Sequence, residues 1–491
     1  MNTFTPLDSL VLEKKFDELE KKAQLTDIDK HLAIDNTVLL HPAIDFVGDV
    51  GVLGFRTKKK NEENKLFEQN IFILIKNGKL SLEHSKLFDY ENKTYFIDDK
   101  DKLLPLLNDK WTTSGIRAFV TEPTFPPFET VFDTIKKTTQ KYFHLSEDAD
   151  YDLITAWIIG TYFHRLFFSY PFLHLKAPKG SGKSQLLGVL EKLCFNAVKA
   201  RPTVASMGDI VTSLRCTFLI DQADSLHNDN NYEIREILTD SYKVDGGKRR
   251  VLDMKRGRKQ LEFETFSPKA FASTIELPED LRDRCMLIPI VRSAQMFPTP
   301  DDQNEDWYLL RESMYKFLLH FPTIREMSMT IKSTYINDKQ LYGRTLDLWL
   351  PIETVMTFFR INQDRIQEVK KLYLHRNAIM QYEPKEHEEE VVGLLMKKFE
   401  DKDRIEVSVK ELTRELNQKR KVLREASYDL DIEFLNEKTV GWVITNFNLS
   451  SNKRRSNKGV QYTFDKSTLK VAYSQYFDTY EETTQLHSTE E

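Results

Sequence analysis

Phe172-Leu173-His174-Leu175-Lys176-Ala177-Pro178-Lys179-Gly180-Ser181-Gly182-Lys183-Ser184-Gln185 reads as a buried strand, a small-residue loop and the start of a helix in immediate succession. In this context a glycine-rich loop turns its backbone N–H groups inward around phosphate oxygens, and the helix behind it aims its positive end at the same anion. The stretch is a P-loop. Pro178, Lys179, Gly180, Ser181, Gly182, Lys183, Ser184 and Gln185 are the expected nucleotide-binding residues; Lys183 reaches the β/γ-phosphates and the Ser184 hydroxyl sits on Mg²⁺.

Downstream, Cys216-Thr217-Phe218-Leu219-Ile220-Asp221 is a β-rich run whose terminal acid lies 38 positions after Lys183. A strand of this kind delivers its carboxylate to the metal held by the P-loop hydroxyl, so Ser184 and Asp221 are the expected metal ligands. Between the two motifs, residues 197–204 read as a strand and 206–214 as a helix, which makes a β-α-β-α-β run and a parallel sheet. The expected fold class is therefore α/β.

The whole chain is compatible with this. It has 491 residues, 40% of them hydrophobic, enough for two to four domains with real cores. A net charge of −5 excludes a uniformly basic nucleic-acid coat, so any such contact must come from local patches. The three cysteines are far apart and form no CxxC pair, which argues against a disulfide framework or zinc site and suits a reducing cytoplasm. No apolar run is long enough to span a bilayer, and the first residues lack a signal pattern.

Residues 1–125 read as a separate mixed α/β region of unreadable role: a helix at 8–24, strands within 37–55 and 70–82, and a solvated loop TKKKNEENK between the strands. Asp98, Asp99 and Asp101 read as a turn. Residues 126–170 are helical, with Ser146-Glu147-Asp148 as a cap, and lead into the P-loop strand as part of the same domain, 126–380.

Two basic hairpins stand out. The first, KVDGGKRRVLDMKRGRKQLEFETF, has β-like arms around a Lys255-Arg256-Gly257-Arg258 tip and carries Lys248, Arg249, Arg250 and Lys259 as well. It is either a solvated face or a finger that grips a nucleic-acid backbone through its phosphates. The second, SSNKRRSNKGVQYTF, holds Lys453, Arg454, Arg455 and Lys458 and closes a region, 386–475, whose helix, strand-helix, helix, hairpin pattern is that of a winged helix. Its expected role is DNA binding, with protein docking as the other use of that fold. Residues 476–491 form an acidic tail expected to be disordered.

Pro268 to Thr274 reads as a further apolar strand ending in a hydroxyl pair, and Leu281-Arg282-Asp283-Arg284 follows it. The order P-loop, Walker B strand, basic hairpin, polar strand end and LRDR, over roughly residues 126–365, resembles AAA+ ATPases of the replicative-helicase kind, near the MCM and superfamily 3 helicases. It is most similar to the helicase-like proteins of plasmids, phages and integrated elements. The resemblance implies ATP and Mg²⁺ as cofactors, DNA as partner, a homo-oligomer, expected to be a hexamer, and ATP-driven unwinding in replication of a mobile element. It also implies roles: the first hairpin tracks DNA in a central pore, and Thr274 (or Ser273) is the sensor that orients the attacking water. Arg284 (or Arg282) is the arginine finger for the neighbouring subunit's site, and Arg344, in Gly343-Arg344-Thr345, stands at the second sensor position.

One position departs from the family pattern. A glutamate base follows the Walker B aspartate there, whereas this chain reads Asp221-Gln222-Ala223-Asp224, and an amide can orient water but cannot take its proton. Three explanations stay open: a Glu-to-Gln change that traps ATP, a natural low-turnover ATPase, or Asp224 standing in. The rival functions are accordingly an ATP-binding initiator or assembly switch that hydrolyses little and, more remotely, a transposition or partition ATPase.

Overall fold

The computed structural model describes residues 37–476, apart from 101, 122, 179, 254–258, 294, 302–304, 381–385, 400–401, 428–432 and 457–458. The expected helix at 8–24, Asp101, the loop residue Lys179, the hairpin tips at Lys255, Arg256, Arg258 and Lys458, and the tail from 477 lie outside the described residues.

Five short strands make the central sheet: β1 (Phe172–Lys176), β2 (Val198–Lys199), β3 (Phe218–Ile220), β4 (Lys269–Ser273) and β5 (Cys285–Pro289). All pair in parallel, in the order β5-β1-β4-β3-β2. Strand β4 is thus inserted between β1 and β3, the strands that precede the glycine loop and Asp221. Parallel strands present their C-terminal ends at one edge, which brings the ends of β1, β2, β3 and β4 together there. The helix Lys183–Leu193 connects β1 to β2, and the helix Val204–Leu214, opened by a Thr203–Ser206 capping box, connects β2 to β3.

The helices before and after this sheet share its core. The helix Asp148–Gly160 is buried on every side, against helices Phe128–Tyr142, Gly343–Phe358 and Gln363–Met380. Its buried acids, Asp150 and Asp152, answer Arg376 and Arg365 from the last of these. Unpaired, such acids would be costly to bury. The helix starts within the expected Ser146-Glu147-Asp148 stretch, with Glu147 at the N-cap and no side-chain capping bond.

The break expected at residue 125 is not a break in the core. An antiparallel sheet, Ile44–Val47, Val50–Lys60, Leu66–Lys76 and Lys79–Glu83, lays Phe46, Phe55, Ile71 and Ile73 into the main core. Phe46 stacks on Phe321 at 4.8 Å, and Phe55 meets Tyr315 edge-on at 5.8 Å. The other face closes a small cluster with Tyr95 and Ile97. The expected loop TKKKNEENK is shorter than its nine residues: Thr57 to Lys60 extend the strand and pair on to Leu66, and residues 61–65 form the turn.

Residues 386–476 have a core of their own, from Val391 to Ala472. Helix Glu386–Lys398, strand Arg404–Ser408, helices Val409–Ser427 and Glu437–Asn446, and the hairpin Asn452–Ser456/Gly459–Asp465 follow in sequence. The long hairpin strand lies in the middle of the three, pairing with both of the others. No described helix is long and apolar enough to cross a membrane.

Candidate nucleotide and nucleic-acid sites

At the C-terminal edge of the sheet the loop after β1 turns through Gly180 and Gly182, at φ +77° and +94°. A Cβ on either would meet no neighbour, so it is the left-handed backbone that calls for glycine. Gly182 caps the helix Lys183–Leu193, whose N–H groups face the loop. Lys183 Nζ donates to the Ala177 carbonyl, and Ser181 Oγ donates to Pro178 O at 2.6 Å. The amide of Gln185 is already engaged, by Tyr142 O at 2.7 Å and Pro298 O at 2.6 Å, and so braces the helix from behind.

Asp221 follows β3 directly, and Ser184 Oγ donates to its Oδ2 at 3.3 Å. The hydroxyl and carboxylate expected to share one cation therefore converge, at the end of the loop that turns through Gly180 and Gly182. These residues fit Mg²⁺·ATP, with the missing ligands supplied by phosphates and water. Among the described residues no group of three or more His, Cys, Asp or Glu forms a metal site by itself.

Lys199, at the end of β2, places Nζ 3.1 Å from Asp221 Oδ2. Sequence reading missed this residue, although a parallel sheet puts the end of every strand at the same edge. Gln222 takes a left-handed conformation, φ 58° and ψ 48°, and is exposed. Its N–H donates to Asp221 Oδ1 at 3.0 Å. A non-glycine residue held in this region stores strain, a frequent property of functional positions.

Asp224 is turned towards the end of β4. Its Oδ1 accepts from Thr274 N at 2.7 Å, Ile275 N at 3.2 Å and the Thr274 hydroxyl. Burial works to raise its pKa, but these bonds outweigh it and hold the carboxyl below its usual value. Asp224 thus ties the Walker B loop to the end of β4. The Thr274 hydroxyl is held by Asp224, whereas Ser273 points into the sheet, hydrogen-bonded to His174 at 2.7 Å. Burial lowers the His174 pKa to about 4, keeping the imidazole neutral. If Asp224 positions Thr274, the Asp224→Ala chain should keep its ATP affinity and hydrolyse about 10²-fold more slowly. Steady-state kinetics beside a binding titration measures both; an unchanged kcat removes the role.

Arg284 and Arg344 are brought together elsewhere. Both guanidinium groups lie over the Tyr242 ring, 5.3 and 5.9 Å from its centroid, and Arg344 pairs with Asp283 at 2.9 Å. The Arg284 carbonyl accepts from Phe172 N, at the beginning of β1, while the P-loop leaves its other end. Five strand residues, about 16 Å, separate the two.

The first basic hairpin is present as an antiparallel pair, Lys248–Asp253 with Lys259–Glu264. Lys248, Arg249 and Lys259 belong to its arms. Its root is anchored: Glu264 accepts from Arg165 and from Arg215 Nε, the latter at 2.9 Å. Arg215 also pairs with Asp45 at 2.9 Å and donates to Ile44 O at 2.7 Å. Burial works to raise the Glu264 pKa, but the two arginines hold it well below the ordinary carboxylate range. Gly247 lets the other arm begin against Phe266, whose backbone lies too close for any side chain. On the C-terminal hairpin Lys453, Arg454 and Arg455 are all exposed.

No family model matches this sequence, and no curated protein sequence matches it. Among solved structures, one titled SCCmec type IV Cch, active helicase, is similar over 87% of this chain and 95% of its own, at 9% identity and TM-score 0.34. The C-terminal region of NrS-1 covers 80% and 94%, at 10% identity and 0.26. The Drosophila ORC structure bound to DNA covers 76% and 94%, at 9% and 0.18. Scores this low leave the functional reading to the geometry of the sites.

Proposed function

We propose that the protein is an ATP-dependent DNA motor of the AAA+ helicase kind, with Gly180, Gly182, Lys183, Ser184 and Asp221 as its nucleotide and Mg²⁺ site. The carrying observation is the convergence of Ser184 and Asp221 beside the glycine loop, with the anchored basic hairpin entering β4 directly behind it. Bound Mg²⁺ would offset charge on the phosphates; Lys183 would bind them, Thr274 would orient the water, and Asp224 would hold Thr274.

Arg284 and Arg344 support an assembly. At the far end of the sheet they serve a nucleotide only if it belongs to a neighbour. Head-to-tail contact of this kind closes into a ring, for which a hexamer with the hairpins lining its pore is the proposed form. The remaining elements of the reading, the winged-helix DNA contacts of Lys453, Arg454 and Arg455 and a place in the replication of a mobile element, rest on the sequence pattern and family resemblance.

The test is charge reversal of Lys255, Arg256 and Arg258 together. Loss of three phosphate contacts should reduce the salt slope of single-strand binding by about 2, and affinity by more than about 10²-fold, while ATP binding stays intact. Unchanged affinity returns this hairpin to a solvated face. One observation favours a second reading, the weakly hydrolysing initiator or assembly switch: Gln222 stands where the base belongs, and Asp224 is committed to Thr274.

A further inference from the structure

Of the five tryptophans, Trp111, Trp157, Trp307 and Trp349 are at most 1% exposed, whereas Trp442 is 48% exposed on the helix Glu437–Asn446. Val440, Val443 and Ile444 of this helix fill the C-terminal core, whereas Trp442 stands off it, edge-on to Phe447 at 6.5 Å with about half of its surface open. Beside it is Gly441. A glycine inside a helix weakens it, and this one is not required by packing, since a Cβ there would meet nothing within 4 Å.

This face is continuous with a cationic one. Thr445, one turn beyond Trp442, is 3.3 Å from the Tyr462 hydroxyl at the base of the hairpin. Lys453 lies over the Tyr462 ring at 5.4 Å, and Arg455 shares its side of the strand. Lys438 is exposed one turn before Trp442. An accessible indole with Lys438, Lys453 and Arg455 around it matches an unpaired base flanked by phosphates. A base stacked within a duplex has no free face to offer such an indole, whereas an unpaired base has.

Building on the DNA-motor reading, we propose that Trp442 is a stacking platform for an unpaired base, so that the C-terminal unit engages single-stranded or forked DNA rather than fully paired duplex. The wing residues Lys453 and Arg455 hold the adjoining phosphates.

Because the other tryptophans are buried, Trp442 dominates the quenchable fluorescence of the full chain. Titration with oligothymidylate should quench it, and the same length of blunt duplex should not. Trp442→Ala should weaken single-strand and fork binding about 5- to 150-fold, Trp442→Phe should keep most of it, and ATP affinity should be unchanged in both. Lys453→Glu should weaken binding and retain the quench at saturation. Single-strand binding with no quench and no Trp442→Ala effect overturns the proposal and leaves this face to a protein partner; equal effects on duplex overturn it in favour of groove binding. Should the wild-type chain bind no DNA while its ATP site works, the motor reading itself fails, an outcome distinct from the other two.

Discussion

Lys183→Ala is expected to lose ATP binding by at least about 10²-fold. Each hydrogen bond to a charged phosphate contributes about 1.5–3 kcal/mol, and the ammonium provides several at once. Lys183 opens its helix behind Gly182 and is only partly buried, so alanine, the best helix former, should leave the melting temperature unchanged. A titration with a fluorescent ATP analogue checks it; normal affinity would falsify the P-loop assignment.

Gln222→Glu is expected to raise turnover by about 10²–10⁴-fold, the usual worth of a positioned general base. The new carboxylate would follow Asp221 on the same exposed, left-handed residue, so neither fold nor ATP affinity should change. Its pH dependence gives a second readout. A base works only when deprotonated, so activity in the Glu form should fall as pH drops through the carboxylate range, near pH 4 to 5, and the Gln form should lack that limb. Steady-state ATPase with and without single-stranded DNA distinguishes the readings. A DNA-stimulated gain in the Glu form marks a motor held back by its amide. If neither form turns over while ATP still drives assembly on DNA, the switch takes the lead.

The legible parts of this protein are those written in contiguous sequence. The P-loop needs glycines at fixed offsets between a strand and a helix, and the basic hairpin needs two β-rich arms around a turn; each is one uninterrupted signal. What joins distant segments was not legible. The insertion of β4 between β1 and β3 depends on crossover geometry, and with it the pairing of Asp224 with Thr274 fifty residues away. Residues 1–125 looked separate because alternating strands show which residues share a face but not what that face covers; here one face covers Phe321 and Tyr315. The lysines of TKKKNEENK suggested solvent, correctly for their side chains, yet the backbone beneath them pairs through Lys60. Arg344 shows the same limit: a helix start can be read locally, but its neighbour across space, Arg284, cannot.

The anchoring of the first hairpin has a mechanical meaning. Six-residue arms project about 20 Å from the root, so a small push at the tip becomes a large torque at the base. A soft root would absorb that torque as bending. Here the fulcrum is Glu264, gripped by arginines from two separate segments, one of them also fastened to the Asp45 sheet. Removing either guanidinium would leave a buried carboxylate undercompensated, so the joint resists opening. A load on the arms would therefore pass through Glu264 to both arginine-bearing segments and, by way of Arg215, to the Asp45 sheet as well.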